Sequence, residues 1–252
     1  MYRLTSRPAR ALSWLLTAAL AGPLQGLDFD GVSPGGSLAL TSDYIYRGLS
    51  ESDDHLAAQA DLHLTDGAGN FAGMWLSTRD RNLSPYARYD VELYFGHRFE
   101  LNGSWGATLS GRSHYYLDAT GEEPSADYQQ ISAALNYLDS WSVVVSAIPS
   151  AVRYWYDLRL TRSSAYVAET SAQWQLRPNW FLTAGAGYYY VTGTGPGINS
   201  AGGYGYGNLG VAFEYRRWRL DVGYFITQPR AQELFPYPIA NQHFAGTLAW
   251  QF

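Results

Sequence analysis

The chain has 252 residues, a formal charge of −5 and no cysteine, which excludes disulfide stapling, thiolate catalysis and thiolate metal sites. All 17 basic residues are Arg, and an acidic balance lacks the basic footprint of a nucleic-acid binder, so no nucleic-acid partner is expected. With 21 Tyr, 9 Trp and 26 Gly but no apolar run of the ~18 residues a spanning helix needs, the composition suits a membrane barrel better than a membrane helix bundle or a water-soluble sandwich.

Arg3, Arg7 and Arg10 precede an apolar run from Ala11 to Leu20, and Ala19-Leu20-Ala21 offers a small-x-small cleavage site. This is the layout of a secretory leader, expected over residues 1–21; the competing reading is an anchor helix that stays attached. Without those three Arg the charge falls from −5 to −8. Residues 22–36 are expected as a short periplasmic segment and residues 37–252 as one barrel, because no linker or composition shift divides them.

From there alternation dominates. Successive side chains of a strand point to opposite faces, so a half-apolar strand repeats every second residue. In Arg88–Phe99, Tyr89, Val91, Leu93, Phe95 and Phe99 share one face, and Arg88, Asp90, Glu92 and Arg98 the other. In Ser104–Tyr115, Trp105, Ala107, Leu109 and Gly111 oppose Thr108, Ser110, Arg112 and His114. The same pattern predicts strands at Gln130–Tyr137, Trp141–Ile148, Tyr166–Leu176, Trp180–Val191, Gly203–Tyr215, Trp218–Thr227 and Gln242–Phe252. Ser37–Arg47, Ala57–Leu64 and Asn70–Ser77 fit less cleanly and bring the expected count to about twelve, with ten or fourteen as the alternatives.

The intervening connections alternate long and short along the whole chain. Outer-membrane barrels have long extracellular loops and short periplasmic turns, whereas Greek-key sandwiches mix loop lengths. Aromatic residues gather at both strand ends: Phe99, Trp105, Tyr137, Trp141, Trp174, Trp180, Tyr215, Trp218 and Trp250 beside the short turns, and Tyr46, Tyr89, Tyr115, Tyr190 and Tyr224 beside the long loops. Two such girdles are what amphipathic rings at headgroup depth produce. The sequence is therefore read as an all-β, closed antiparallel transmembrane barrel in the outer membrane, with lipid as its surroundings. Its last strand ends on Phe252, which resembles the C-terminal signal read by the outer-membrane assembly machinery.

The segment Ser42-Asp43-Tyr44-Ile45-Tyr46-Arg47-Gly48-Leu49-Ser50 resembles the opening motif of the TorF family of proteobacterial porins. Gly73-Met74-Trp75-Leu76-Ser77 and Glu92-Leu93-Tyr94-Phe95-Gly96 are similar to that family's next strands. These motifs cover the first hundred residues, and the remainder agrees by layout and length. The resemblance implies an outer-membrane barrel and a pore.

By parity the inward face carries Asp43, Arg47, Asp61, His63, Arg88, Asp90, Glu92, Arg98, Arg112, Glu169, Glu214, Arg219 and Asp221. A water-filled lumen lined by both charge signs would pass small hydrophilic solutes or ions; a salt-bridged interior would instead make a plugged structural or adhesive barrel. Arg47 is expected near the pore mouth, paired with Asp43 or with an acid on the neighbouring strand. Glu51, Asp53, Asp54, Asp118, Glu122, Glu123 and Asp127 give the outer loops an acidic character that would favour cations.

No His-x-Ser pair or ordered triad supports a hydrolase, so no catalytic residue, cofactor or metal is assigned. The alternative is a rim site, because the last strand must adjoin the first and so bring His55 and His243 together. Gly193-Thr194-Gly195-Pro196-Gly197 lacks the Lys and the following helix of a phosphate loop and reads as an extracellular loop.

Overall fold

The structure is a computed structural model; it describes residues 31–79, 88–117, 127–138, 140–154, 160–193, 201–235 and 238–252. The leader, Asp118, Glu122, Glu123 and most of the Gly193–Gly197 loop fall outside them.

In chain order the elements are β1 (Val32–Thr41), β2 (Ile45–Tyr46), β3 (Leu49–Ser50), β4 (Ala57–Asp66), β5 (Asn70–Thr78), β6 (Tyr89–Glu100), β7 (Trp105–Leu117), β8 (Tyr128–Tyr137), β9 (Trp141–Tyr154), β10 (Leu160–Arg177), β11 (Trp180–Val191), β12 (Gly202–Tyr215), β13 (Trp218–Thr227), a single helical turn α1 (Ala231–Leu234) and β14 (His243–Gln251). Twelve strands close into one antiparallel barrel, each beside its neighbour in sequence, and β2 and β3 form a separate hairpin. The seam joins β1 to β14 from Ser37 opposite Gln251 to Thr41 opposite Thr247. Gly36 and Phe252 extend it by exchanging both backbone hydrogen bonds, 3.1 and 3.0 Å. Pro34, which has no N–H to give, sits on β1 beyond the end of that seam.

The outside is apolar. Leu38, Leu40, Leu62, Leu93, Phe95, Leu109, Ile131, Val145, Leu209, Leu248 and Phe244 are all exposed on alternate strand positions. So large a continuous apolar belt has no place in water and is what hydrocarbon requires. The girdle positions Phe99, Tyr137, Trp141, Trp174, Trp180, Tyr215 and Trp218 are exposed beside the short turns, and Tyr89 and Tyr190 beside the long loops.

Three expectations are corrected. The first strand begins at Val32 and stops at Thr41 rather than running from Ser37 to Arg47, because pairing with both neighbours ends at Thr41 and the chain turns away. Tyr46 therefore belongs to no girdle; it lies inside the barrel, 5.8 Å from the His114 ring. The connection expected over Pro149–Ala165 is largely strand: β9 and β10 keep pairing outward to Tyr154 opposite Leu160, with a bulge between Ser163 and Ala165.

Glycines on the wall let tyrosines lie across it. Glu169, Gly187 and Tyr206 stand in register on β10, β11 and β12. The Tyr206 ring lies over Gly187, and its hydroxyl donates to Glu169 at 2.7 Å. Tyr94 crosses Gly73 in the same way and donates to Asp61 at 2.6 Å. A Cβ on Gly187 would fall inside the van der Waals shell of the Tyr206 ring, whereas one on Gly205 would meet only the flexible Gln228 amide at 3.5 Å. Gly187→Ala is expected to cost about 1–3 kcal/mol by overpacking and Gly205→Ala well below that, read as urea unfolding midpoints of the detergent-refolded protein.

Candidate functional site

The interior is organised by a hairpin that folds into it. After β1, residues 43–52 turn into the lumen instead of standing above it, and Asp54, His55 and Leu56 return to the exposed outer surface. Ile45–Tyr46 and Leu49–Ser50 pair around Arg47-Gly48, whose φ values of 51° and 77° make a two-residue turn of the type hairpins favour. Gly48 supplies this conformation without strain, and a side chain there would strike Tyr206 on β12 and Thr227 on β13.

Most polar groups of the hairpin are met by the hairpin itself or by a different strand, Asp43 Oδ2 and Arg47 Nε being the exceptions. Asp43 accepts from Ser50 Oγ at 2.6 Å and Ser52 Oγ at 2.9 Å, which closes the hairpin's base. Tyr44 donates to Asp90 on β6 at 3.0 Å. Arg47 donates to Gln130 Oε1 on β8 at 2.6 Å and lies 4.0 Å from Glu169 on β10. Its carbonyl accepts from Tyr204 on β12 at 3.0 Å, and that of Gly48 accepts from Thr227 on β13 at 2.9 Å. Glu51 pairs with Arg79 at the end of β5. Leu49 fills an apolar nest of Tyr128, Ile148, Val167, Tyr189, Val191 and Tyr204, closed from above by Ala231 and Leu234 of α1.

Asp43 and Arg47 are thus buried as parity suggested, but on an inserted hairpin and not on a strand. Nor is Arg47 paired with Asp43 or a neighbouring strand; its acid, Glu169, is across the lumen. The remaining predicted residues face inward from the wall in three groups. Asp90, Glu92 and Arg112 sit beside the hairpin: Arg112 Nη1 is 2.7 Å from Glu92, and His114, fully buried, packs at 3.3 Å from Glu92 and stacks on Tyr128. Asp61 accepts from Tyr94 and lies 2.6 Å from His63 Nδ1. Near the short turns, Arg219 bridges Glu214 and Asp221 and reaches Gln173 at 3.3 Å. Arg88 and Arg98 are partly buried, at opposite ends of β6.

Below the hairpin the inner wall changes character. Thr108, Ser110, Asn136, Ser142, Ser171 and Gln173 are small or neutral polar side chains and remain partly exposed. Water can occupy such a surface, and the aromatic nest above cannot hold it. Parity did not reveal the hairpin because it is a signal about strands. The trace it left was apolar residues inside long connections (Ile45, Leu49, Leu234, Ile239) and inward Ile148, Val167 and Val191 where a wet lumen would place polar ones.

The sequence matches, over residues 30–225, the family described as bacterial protein of unknown function (Gcw_chp). The chain belongs to that family. No curated relative matches this Gcw_chp chain. Among solved structures it is similar to the NanC porin, at 8% identity and a TM-score of 0.50, covering 87% of this chain and 98% of that one. It is similar also to an outer membrane channel of Pseudomonas putida F1, at 12% identity and a TM-score of 0.51, covering 88% and 94%. At such identities the likeness is one of fold, and the fold is that of outer-membrane barrels. Together with the apolar belt, it makes this Gcw_chp protein a closed transmembrane β-barrel of the outer membrane.

Two consequences can be measured. Removing one partner of a buried ion pair strands the other charge, a loss of about 3–5 kcal/mol. Arg47→Met should therefore release the hairpin, seen as faster amide exchange across residues 45–52, and Arg47→Met with Glu169→Gln should recover much of the protection. Burial raises the Glu51 carboxyl above its ordinary value, outweighing the opposing pull of Arg79. A raised acid favours the docked state while protonated, so its contribution is complete below the ordinary carboxylate range and is lost as pH rises through the raised value. Exchange protection of the hairpin, corrected for intrinsic rates, should fall over that window, and Glu51→Gln should remove this part of the slope.

Proposed function

We propose that the barrel is a narrow, hairpin-constricted channel for passive diffusion of small hydrophilic solutes or ions, the activity that the resemblance to TorF-type porins also implies. One observation carries this reading: a hairpin paired separately from the barrel sheet, held by side chains of six strands, lies across a lumen whose lower wall is polar. A barrel whose interior served only as a core would need no such division. In this reading Asp43, Arg47, Asp90, Glu92, Arg112 and Glu169 set the constriction, with Arg88 at its outer side. Asp61, Arg98, Glu214, Arg219 and Asp221 line the periplasmic approach. Transport involves no covalent chemistry. Asp53 and Asp54 at the outer face favour cations.

A second reading has its own support. At hairpin level the described side chains pack as closely as a core, with Glu92 and His114 both 0% exposed, which favours a plugged structural barrel. Single-channel recording in planar bilayers separates the two. The wild-type protein should give small ohmic steps with a cation-selective reversal potential in a salt gradient. Replacing residues 43–52 by a Gly-Ser linker should raise the conductance several-fold. A folded, heat-resistant variant that still carries no current would show that the barrel is structural.

A further inference from the structure

At the outer face of the hairpin three potential metal ligands converge from two parts of the chain. Nε2 of His243, the first residue of β14, lies 3.2 Å from Oδ2 of Asp43 and 3.2 Å from Oδ1 of Asp54. The three ligand atoms all fall within 4.8 Å of one another. We propose that Asp43, Asp54 and His243 form a binding site for one divalent transition-metal ion of the zinc class, fastening the lumen hairpin to the last strand.

Four observations support it. First, the close approaches are not hydrogen bonds: Asp43 Oδ2 and His243 Nε2 are buried atoms, and neither has a hydrogen-bond partner. Two buried polar atoms that converge without bonding each other leave a desolvation cost that a shared cation would remove. Second, the spacing suits such an ion. Ligands about 2.0–2.2 Å from a tetrahedral zinc lie roughly 3.3–3.5 Å apart, close to the two 3.2 Å separations from His243. Third, the Asp43 carboxylate is held in place by its other oxygen, which accepts from Ser50 and Ser52; outer-shell hydrogen bonds of this kind orient metal-ligating carboxylates. Fourth, there is an entry path, because the Asp54 side chain is 71% exposed while that of Asp43 is 1% exposed.

Three protein ligands of one imidazole and two carboxylates leave a fourth position for water. His55, which sequence adjacency pointed to, is not among them; its Nδ1 faces the Ser52 carbonyl at 3.2 Å. The Asp90–Glu92–His114 group is the other ligand cluster among the described residues, but it is wholly buried, with Arg112 already on Glu92.

The proposal goes beyond the channel reading, and its test requires no conduction. The full mature protein, refolded in detergent and stripped with chelator, is titrated with ZnCl2 by calorimetry, and bound zinc is counted by elemental analysis after desalting. The expected result is one saturable zinc per chain. Asp54→Asn, at an exposed position that leaves the fold intact, should weaken it at least ~10-fold, and His243→Gln should abolish it with the heat-modifiable barrel retained. Absence of saturable zinc binding by the wild-type protein would overturn the proposal and leave the trio as a proton-shared ion cluster. Unchanged affinity in both variants would overturn it too, by placing the ion elsewhere.

Discussion

Everything in this molecule follows from the demand that no backbone N–H or C=O be left bare in hydrocarbon. An open sheet has two edges, and each unpaired group on them would cost several kcal/mol in lipid. The seam between β1 and β14 removes both. Once the sheet is closed, alternation has only one assignment: one parity meets lipid and the other meets the lumen. Leu38 and Leu40 thus point out from the same strand that turns Thr41 inward against Thr247.

Closure creates a second problem on the inside. Eight strands leave an interior that side chains alone can fill, and twelve leave more. Here the surplus is taken up by chain as well as side chains. The hairpin brings its own polar backbone into the lumen, and those groups must be satisfied just as the strands' were. This explains why Tyr204 and Thr227 reach for carbonyls and not for solvent, and why Asp43 is tied by two serines of its own loop. The motif at residues 42–50 is coherent on these terms. Asp43 closes the base, Tyr44 and Arg47 bond different strands of the wall, Gly48 permits both the turn and the close approach, and Ser50 returns to Asp43.

The parts legible in the sequence are those governed by lipid. Twelve strands, the alternation of connection lengths and the periplasmic girdle could be read because hydrocarbon imposes the same rule on every strand. The hairpin could not, because the hydrogen-bond partners of Tyr44, Arg47 and Gly48 on the wall lie between 46 and 179 residues away in sequence. Arg47 meets Gln130 and Glu169, contacts no local pattern encodes. The apparent strand through Arg47 arose from a coincidence of parity, since Asp43, Ile45 and Arg47 continue the alternation of β1 after its pairing has ended. The length of β9 and β10 was hidden for a related reason: Pro149 and the Arg- and Ser-rich stretch after it read as loop, while their backbones still find partners in each other.

A hollow tube of strands resists stretching along its hydrogen bonds but is easily flattened. The hairpin runs from the β1 side to β8, β10, β12 and β13, and so acts as a strut across the cross-section. Tube shape and hairpin position are then one mechanical variable. A change in the tube's cross-section and a change in the hairpin's seat therefore act on the same contacts, those of Arg47, Gly48 and Tyr44 with the wall.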